Sequence, residues 1–251
     1  MKLPYPSLSP SVRTNWCCAA IFFVLLSLTG HVAAGVFSVT PVRIYMGPRD
    51  RAVAVTITNE GDTPIALQAD LNTWSQKPDG TDELVLTEDM ILSPPIIKLA
   101  PRARQVVRLA LVKPADASRQ LTYRFILREV PEVGAPKEGQ IQLPISLALS
   151  MPVFVTPPIA KREMECTANK DSTQTVQAVC RNTGTAYAQV REILVQRGGQ
   201  TVVRFEGGSY VLPGAQKAIP IKSDTAVAAG PANMQVTFDD GKTQTFSITL
   251  P

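Results

Sequence analysis

Histidine occurs once in the 251 residues, as His31, and cysteine four times, as Cys17, Cys18, Cys166 and Cys180. Those counts decide what chemistry the chain can do. A chain with a single imidazole lacks the usual partner of a nucleophilic serine and has little to hold a metal ion. Two acidic pairs, Glu88-Asp89 and Asp239-Asp240, could share a proton, but adjacent carboxylates among turn formers read as solvated turns. Gly198-Gly199 and Gly207-Gly208 resemble phosphate loops only superficially: neither lies between a strand and a helix, and neither is followed by the expected lysine. Both read as hairpin turns. The sequence therefore predicts no catalytic residue, no metal and no cofactor.

Residues 1–34 contain Arg13, the apolar run Ala19–Leu28 and the small-residue end Val32-Ala33-Ala34. This is the pattern of a secretory signal peptide, with cleavage after Ala34. The run is too short to span a bilayer, and no later stretch approaches the roughly 20 apolar residues required, so no membrane insertion is expected. His31, Cys17 and Cys18 all leave with the leader. Removing Lys2 and Arg13 with it lowers the net charge from +4 to +2. That balance calls for no nucleic-acid partner. The two remaining cysteines, in an oxidising compartment, read as a Cys166–Cys180 disulfide between neighbouring strands. Closing a loop of about 15 residues is worth on the order of 3 kcal/mol in the chain-entropy model.

The elements that would position any site are strands. Ser38–Met46, Arg51–Thr58, Ile65–Ser75, Gln105–Val112, Leu121–Val130 and Gln140–Val155 are expected strands in the first half, and Trp74 is expected in its core. Thr156-Pro157-Pro158 interrupts the pattern and is read as a domain boundary. Beyond it come Ile159–Cys166, Thr175–Asn182, Ala188–Gln196, Thr201–Phe205, Gln216–Ile221, Met234–Phe238 and Gln244–Leu250, with Asp239-Asp240-Gly241 as a hairpin turn. Short strands between turns indicate an all-β chain of two sandwiches, residues 35–156 and 157–251.

One segment stands apart. Ile141, Leu143, Ile145, Leu147, Leu149, Met151 and Val153 share one parity, so in a strand they form one apolar row rising about 3.3 Å per residue. Pro144 and Pro152 share the other parity and blunt one edge of the strand. A complete apolar row beside an open edge is a hazard that soluble proteins normally suppress. Where it is kept, strand addition to a partner is a natural use. Periodicity leaves open the alternative that the row packs into its own domain.

Leu92-Ser93-Pro94-Pro95, Leu99-Ala100-Pro101, Val106-Val107-Arg108-Leu109 and Phe125-Ile126-Leu127-Arg128-Glu129-Val130-Pro131, followed by the alternating strand, resemble the PapD-like periplasmic chaperones of the chaperone–usher pilus pathway, in a divergent, archaic-type branch. The resemblance covers residues 36–250. It implies two immunoglobulin-like domains in an L-shaped arrangement and a periplasmic chaperone that binds pilus subunits by donor-strand complementation and delivers them to an outer-membrane usher. It makes Ile141, Leu143, Ile145, Leu147, Leu149 and Met151 the donor row. It also implies that the subunit's terminal carboxylate is anchored by Arg43, which matches the family's cleft arginine; Arg128 is a candidate second anchor, because Pro152 stands at the family's lysine position. Thr156 replaces the family's linker arginine. The loop from Pro131 to Gly139 is expected to order only with a subunit bound. Self-association of the free protein over the same row stays open, as does a second reading, an exported two-domain adhesive or structural module that recognises ligands through loops.

Overall fold

The computed structural model describes residues 37–131, 146–172 and 174–250. The leader, most of the Pro131–Gly139 loop, and Ile141, Leu143, Pro144 and Ile145 lie outside the described residues. The first ten strands are β1 (Phe37–Thr40), β2 (Ile44–Met46), β3 (Ala52–Asn59), β4 (Ile65–Gln76), β5 (Asp82–Leu86), β6 (Met90–Ser93), β7 (Ile96–Leu99), β8 (Arg104–Leu111), β9 (Leu121–Glu129) and β10 (Ala148–Val155). They form two sheets, β1-β3-β8-β6 and β2-β10-β9-β4-β5, with β7 also paired to β4. Seven more follow: β11 (Met164–Ser172), β12 (Thr175–Asn182), β13 (Ala188–Arg197), β14 (Gln200–Val211), β15 (Gln216–Lys222), β16 (Gly230–Phe238) and β17 (Thr243–Leu250). These make sheets β11-β12-β15 and β14-β13-β16-β17.

Alternation dictates which face of each sheet is buried. In β9, Tyr123, Phe125 and Leu127 enter the core between the first two sheets, where Val55, Ile57, Val107 and Leu109 meet them. The opposite parity carries Thr122, Arg124 and Arg128. In the second sandwich, Val176, Ala178 and Cys180 of β12 face Val190, Ile193 and Val195 of β13. Asn59 and Asn182, both fully buried, play matching parts: each amide donates to two or more backbone carbonyls, and each carbonyl accepts from the N–H two residues on. Buried polar groups satisfied in this way fix the strand ends at low cost.

Three readings from the sequence are corrected here. Ser38–Met46 is two strands in different sheets, because Pro41 has no N–H for a ladder and ends β1. β5, β6 and β7 were not expected. Every residue of β5 is exposed, so no period marks it, and the Pro94-Pro95 turn splits β6 from β7. Gly207-Gly208 is not a hairpin turn: it lies inside β14, where the register with β13 jumps from Val190↔Ser209 to Glu192↔Glu206. One extra residue on the β14 side makes this a bulge, a place where glycine is at home. Gly198-Gly199 does turn the β13–β14 hairpin, both with positive φ.

Cys166 and Cys180 are paired across β11 and β12 and joined by a disulfide, with Cα atoms 4.1 Å apart. Both are buried in the second core. Replacing both by alanine should lower unfolding free energy by about 3 kcal/mol in denaturant titrations. Wild-type protein treated with reductant should show the same loss, and a double variant indistinguishable from oxidised wild type would refute a structural role for the bond.

Candidate functional site

β10 pairs along its whole length with β9, antiparallel, from Ala148↔Arg128 to Val155↔Leu121 without a register shift. The Glu129 N–H donates to Leu147 O, and at the other end the Thr156 N–H donates to Met46 O, both 2.8 Å. Odd-numbered backbone groups therefore face β9, and even-numbered ones face the opposite edge. β2 covers that edge only at Val153–Val155, in parallel register with Ile44–Met46. Among the described residues no strand pairs with the edge from Ala148 to Pro152. Pro152 lies on it, as its parity requires.

The odd row changes environment along its length. Val155, Val153 and Met151 are enclosed in the first sandwich's own core. Leu149 is half-buried against that core, and Leu147 is 42% exposed. Met151, grouped with the partner-facing residues on sequence grounds, is thus corrected: it is 4% exposed and belongs to the domain interior, because Phe125 of β9 stands opposite it. The apolar row continues past the point where its own core ends.

The even parity of the same strand serves the second sandwich. Phe154 stacks on Tyr187 with ring centroids 4.0 Å apart and on Tyr45 at 5.7 Å. Trp74 is buried, as expected, but against Phe154 and Tyr210 and not in the first core. The Arg124 guanidinium lies 3.6 Å over the Trp74 ring. Burial pushes its pKa down, with Asp82 acting in the opposite direction. Thr156 Oγ1, at the connection, accepts from the buried amide of Gln120 at 2.7 Å. The Gln120 carbonyl accepts from the Tyr187 N–H at 2.9 Å, so one glutamine spans the connection. Gln76 does the same lower down, donating to Tyr210 O and accepting from the Leu212 N–H. Neither glutamine carries a sequence signal, since nothing in a lone Gln distinguishes a bridge from a surface residue.

Arg43 precedes β2 at the crossover between sheets. One terminal nitrogen donates to Asp239 Oδ2 at 3.1 Å and the other to Gln189 Oε1 at 2.5 Å. The Tyr187 hydroxyl donates to the same Asp239 oxygen at 2.8 Å, so the 2.9 Å contact between Tyr45 and Tyr187 has Tyr45 as donor. Burial, helped by the hydrogen bonds to Tyr45 and Asp239, raises the Tyr187 pKa and keeps it protonated. Arg43, Tyr45, Arg162, Tyr187, Asp239 and Asp240 are among the walls of a cleft of about 620 Å³. Arg128 is absent from it. Opposite Ala148, six residues from Phe154, it lies about 20 Å along the strand, and it is ion-paired with Asp70. The expectation that Arg128 anchors a ligand in the cleft is therefore overturned by the antiparallel register. Among the described residues no group of histidine, cysteine and carboxylate side chains is placed to hold a metal.

Residues 36–161 match the family described as pili and flagellar-assembly chaperone, PapD N-terminal domain. A comparison with curated proteins finds no match. Among solved structures, the chain is similar to one in the CsuC–CsuE chaperone–tip adhesion subunit pre-assembly complex from archaic chaperone–usher Csu pili of Acinetobacter baumannii, with 18% identity over 86% of this chain and 99% of that one and a TM-score of 0.63. The Pseudomonas aeruginosa CupB2 chaperone aligns at 18% identity, 85% and 100% coverage and a TM-score of 0.53. A chain of the Salmonella enterica SafA pilin–SafB chaperone complex aligns at 15%, 87% and 98%, with a TM-score of 0.57. At these identities the likeness establishes the fold, two immunoglobulin-like sandwiches.

Tyr187→Phe keeps the stack on Phe154 and removes the hydroxyl from the Arg43–Asp239 cluster. The expected loss is about 1–2 kcal/mol of unfolding free energy. A phenol whose pKa is raised by folding adds stability that is complete below its unfolded value, about 10, and is lost as pH rises beyond it. Urea titrations between pH 8 and 11 should show a steeper alkaline decline for wild type than for the variant; parallel curves would contradict the assigned role of the hydroxyl.

Proposed function

The chain belongs to the PapD-like family of pili and flagellar-assembly chaperones, whose members are periplasmic, and from that membership we propose that it captures pilus subunits by lending β10 and the residues before it to an incomplete subunit sandwich, then delivers them to an outer-membrane usher. Residues 1–34 act as an export leader, 35–156 as the subunit-capturing domain and 157–251 as the domain that completes the cleft. No catalytic role is assigned.

The observation that carries this reading is the pairing of two features on one strand. The apolar row passes from full enclosure at Val153 to exposure at Leu147, while the even-numbered backbone from Ala148 to Pro152 has no described partner. A partner strand laid along that edge satisfies its Ala148 and Ser150 groups and covers Leu147 and Leu149 from the side; Ile141, Leu143 and Ile145 extend the row on sequence parity. Fully burying one such side chain contributes about 1.5–3 kcal/mol, so a few suffice to hold a subunit that cannot close its own core. If the partner runs parallel to β10, its C-terminal end meets the start of β2, where Arg43 sits. A guanidinium there can take a terminal carboxylate through two parallel hydrogen bonds. Self-association of the free protein would use the same edge.

Leu147→Glu tests the reading directly. The side chain is outside the core, so urea titration should show a change within about 0.5 kcal/mol, whereas the yield of a co-expressed pilus subunit purified with the chaperone should fall at least tenfold. Unfolding of the variant, or undiminished capture, contradicts the proposal. In hydrogen exchange, the Ala148 and Ser150 amides should become selectively protected when subunit is bound; unchanged exchange at both would place the contact elsewhere.

A further inference from the structure

The cleft beside Arg43 is charged more heavily than one arginine requires. Its walls carry Arg43, Lys161, Arg162 and Lys242 against Asp239 and Asp240, an excess of two positive charges. Both acids come from a single turn, Asp239-Asp240-Gly241, between β16 and β17. Each holds one arginine: Asp239 holds Arg43 at 3.1 Å, and Asp240 holds Arg162 at 3.2 Å. Adjacent residues have Cα atoms about 3.8 Å apart, so the turn brings a guanidinium from each sandwich to the same cleft.

The four cations are not equivalent. The Lys161 and Lys242 side chains are 73% and 79% exposed, and Lys161 is paired with Glu163. Charges so exposed are screened and flexible. Arg162 is only 19% exposed and its guanidinium lies 3.9 Å over the Phe238 ring, which restricts where it can point. Its hydrogen bonds to Asp240 all come from one terminal nitrogen. The other terminal nitrogen and Nε are uncommitted among the described contacts. Arg43 likewise makes no described hydrogen bond through Nε. Asp240 itself stays ionised: burial opposes this, but the Lys242 N–H and the Arg162 guanidinium outweigh it and lower its pKa.

We infer that Arg162, supplied by the second sandwich, is the second cation of the carboxylate-receiving site, in place of the donor-strand lysine that Pro152 displaces. Asp239 and Asp240 are positioning residues: they neutralise two of the cleft's charges and aim both guanidinium groups while leaving hydrogen-bond donors free. The site takes a chain-terminal carboxylate and is complete only when both sandwiches contribute. This rests on the reading that a subunit strand ends at Arg43.

The test uses a fluorescently labelled peptide of about a dozen residues with alternating valine, synthesised once with a free C-terminal carboxylate and once as the amide, titrated into the full chain. Wild type should bind the free acid at least tenfold more tightly than the amide. Arg162→Gln should reduce that preference to threefold or less, leave affinity for the amide unchanged and retain a native urea midpoint. Arg162→Lys, which keeps the charge, should restore part of the preference and serves as the decisive variant if the glutamine protein is unstable. A full preference in Arg162→Gln, with loss only in Arg43→Gln, overturns the inference and leaves the donor-strand reading intact. Failure of Leu147→Glu to weaken both peptides, or absence of binding by either, overturns both.

Discussion

In an extended chain successive side chains must point to opposite sides, and the organisation of the described residues depends on one strand that uses both. The odd residues of β10 close the first core with Met151, Val153 and Val155, and the even residue Phe154 lies under Tyr187 in the second cluster. Neither face can be rearranged without disturbing a core. The N-terminal part of the same strand is therefore held in extended form and in fixed register with β9, although its own side chains gain little from packing.

Under the proposed function, that rigidity matters most at the open edge. Holding Ala148–Pro152 in strand geometry means that a partner backbone need not order it at the moment of binding, which lowers the entropic cost of association. β2 contributes in a second way. Its three residues occupy the edge from Val153 onward, so they set the point beyond which an added strand cannot continue. Arg43 lies at that point because the crossover from the first sheet to the second ends there.

The contact between the sandwiches is polar as well as aromatic. Gln120, Gln76 and the Arg43–Asp239–Tyr187–Tyr45 cluster are part-buried and hydrogen-bonded. Such groups are directional, and an unmatched member is costly when buried. They favour one mutual arrangement of the strands that carry them, whereas the ring stack of Phe154 would tolerate sliding. Thr156 at the connection takes part in this distributed set of neutral and charged hydrogen bonds.

Much of this was legible in the residues. Two-residue alternation in Leu121–Val130 and Ala148–Val155, the turns at Gly198-Gly199 and Asp239-Asp240-Gly241, and the cysteine pair are local properties, and local rules of side-chain direction and turn geometry determine them. β5 escaped because a strand exposed on both faces has no burial period, and β7 because its four residues hold only two buried positions, Ile97 and Leu99, directly after Pro94-Pro95. What only the tertiary structure decided is where each side of a strand finds its neighbours. Period two puts Met151 and Leu147 on one face but cannot say that the core ends between them, and it cannot say that Arg128 lies at the wrong end of β9. The pairing of Arg43 with Asp239, across 196 positions of sequence, has no local cause: it follows from how two folded sheets meet.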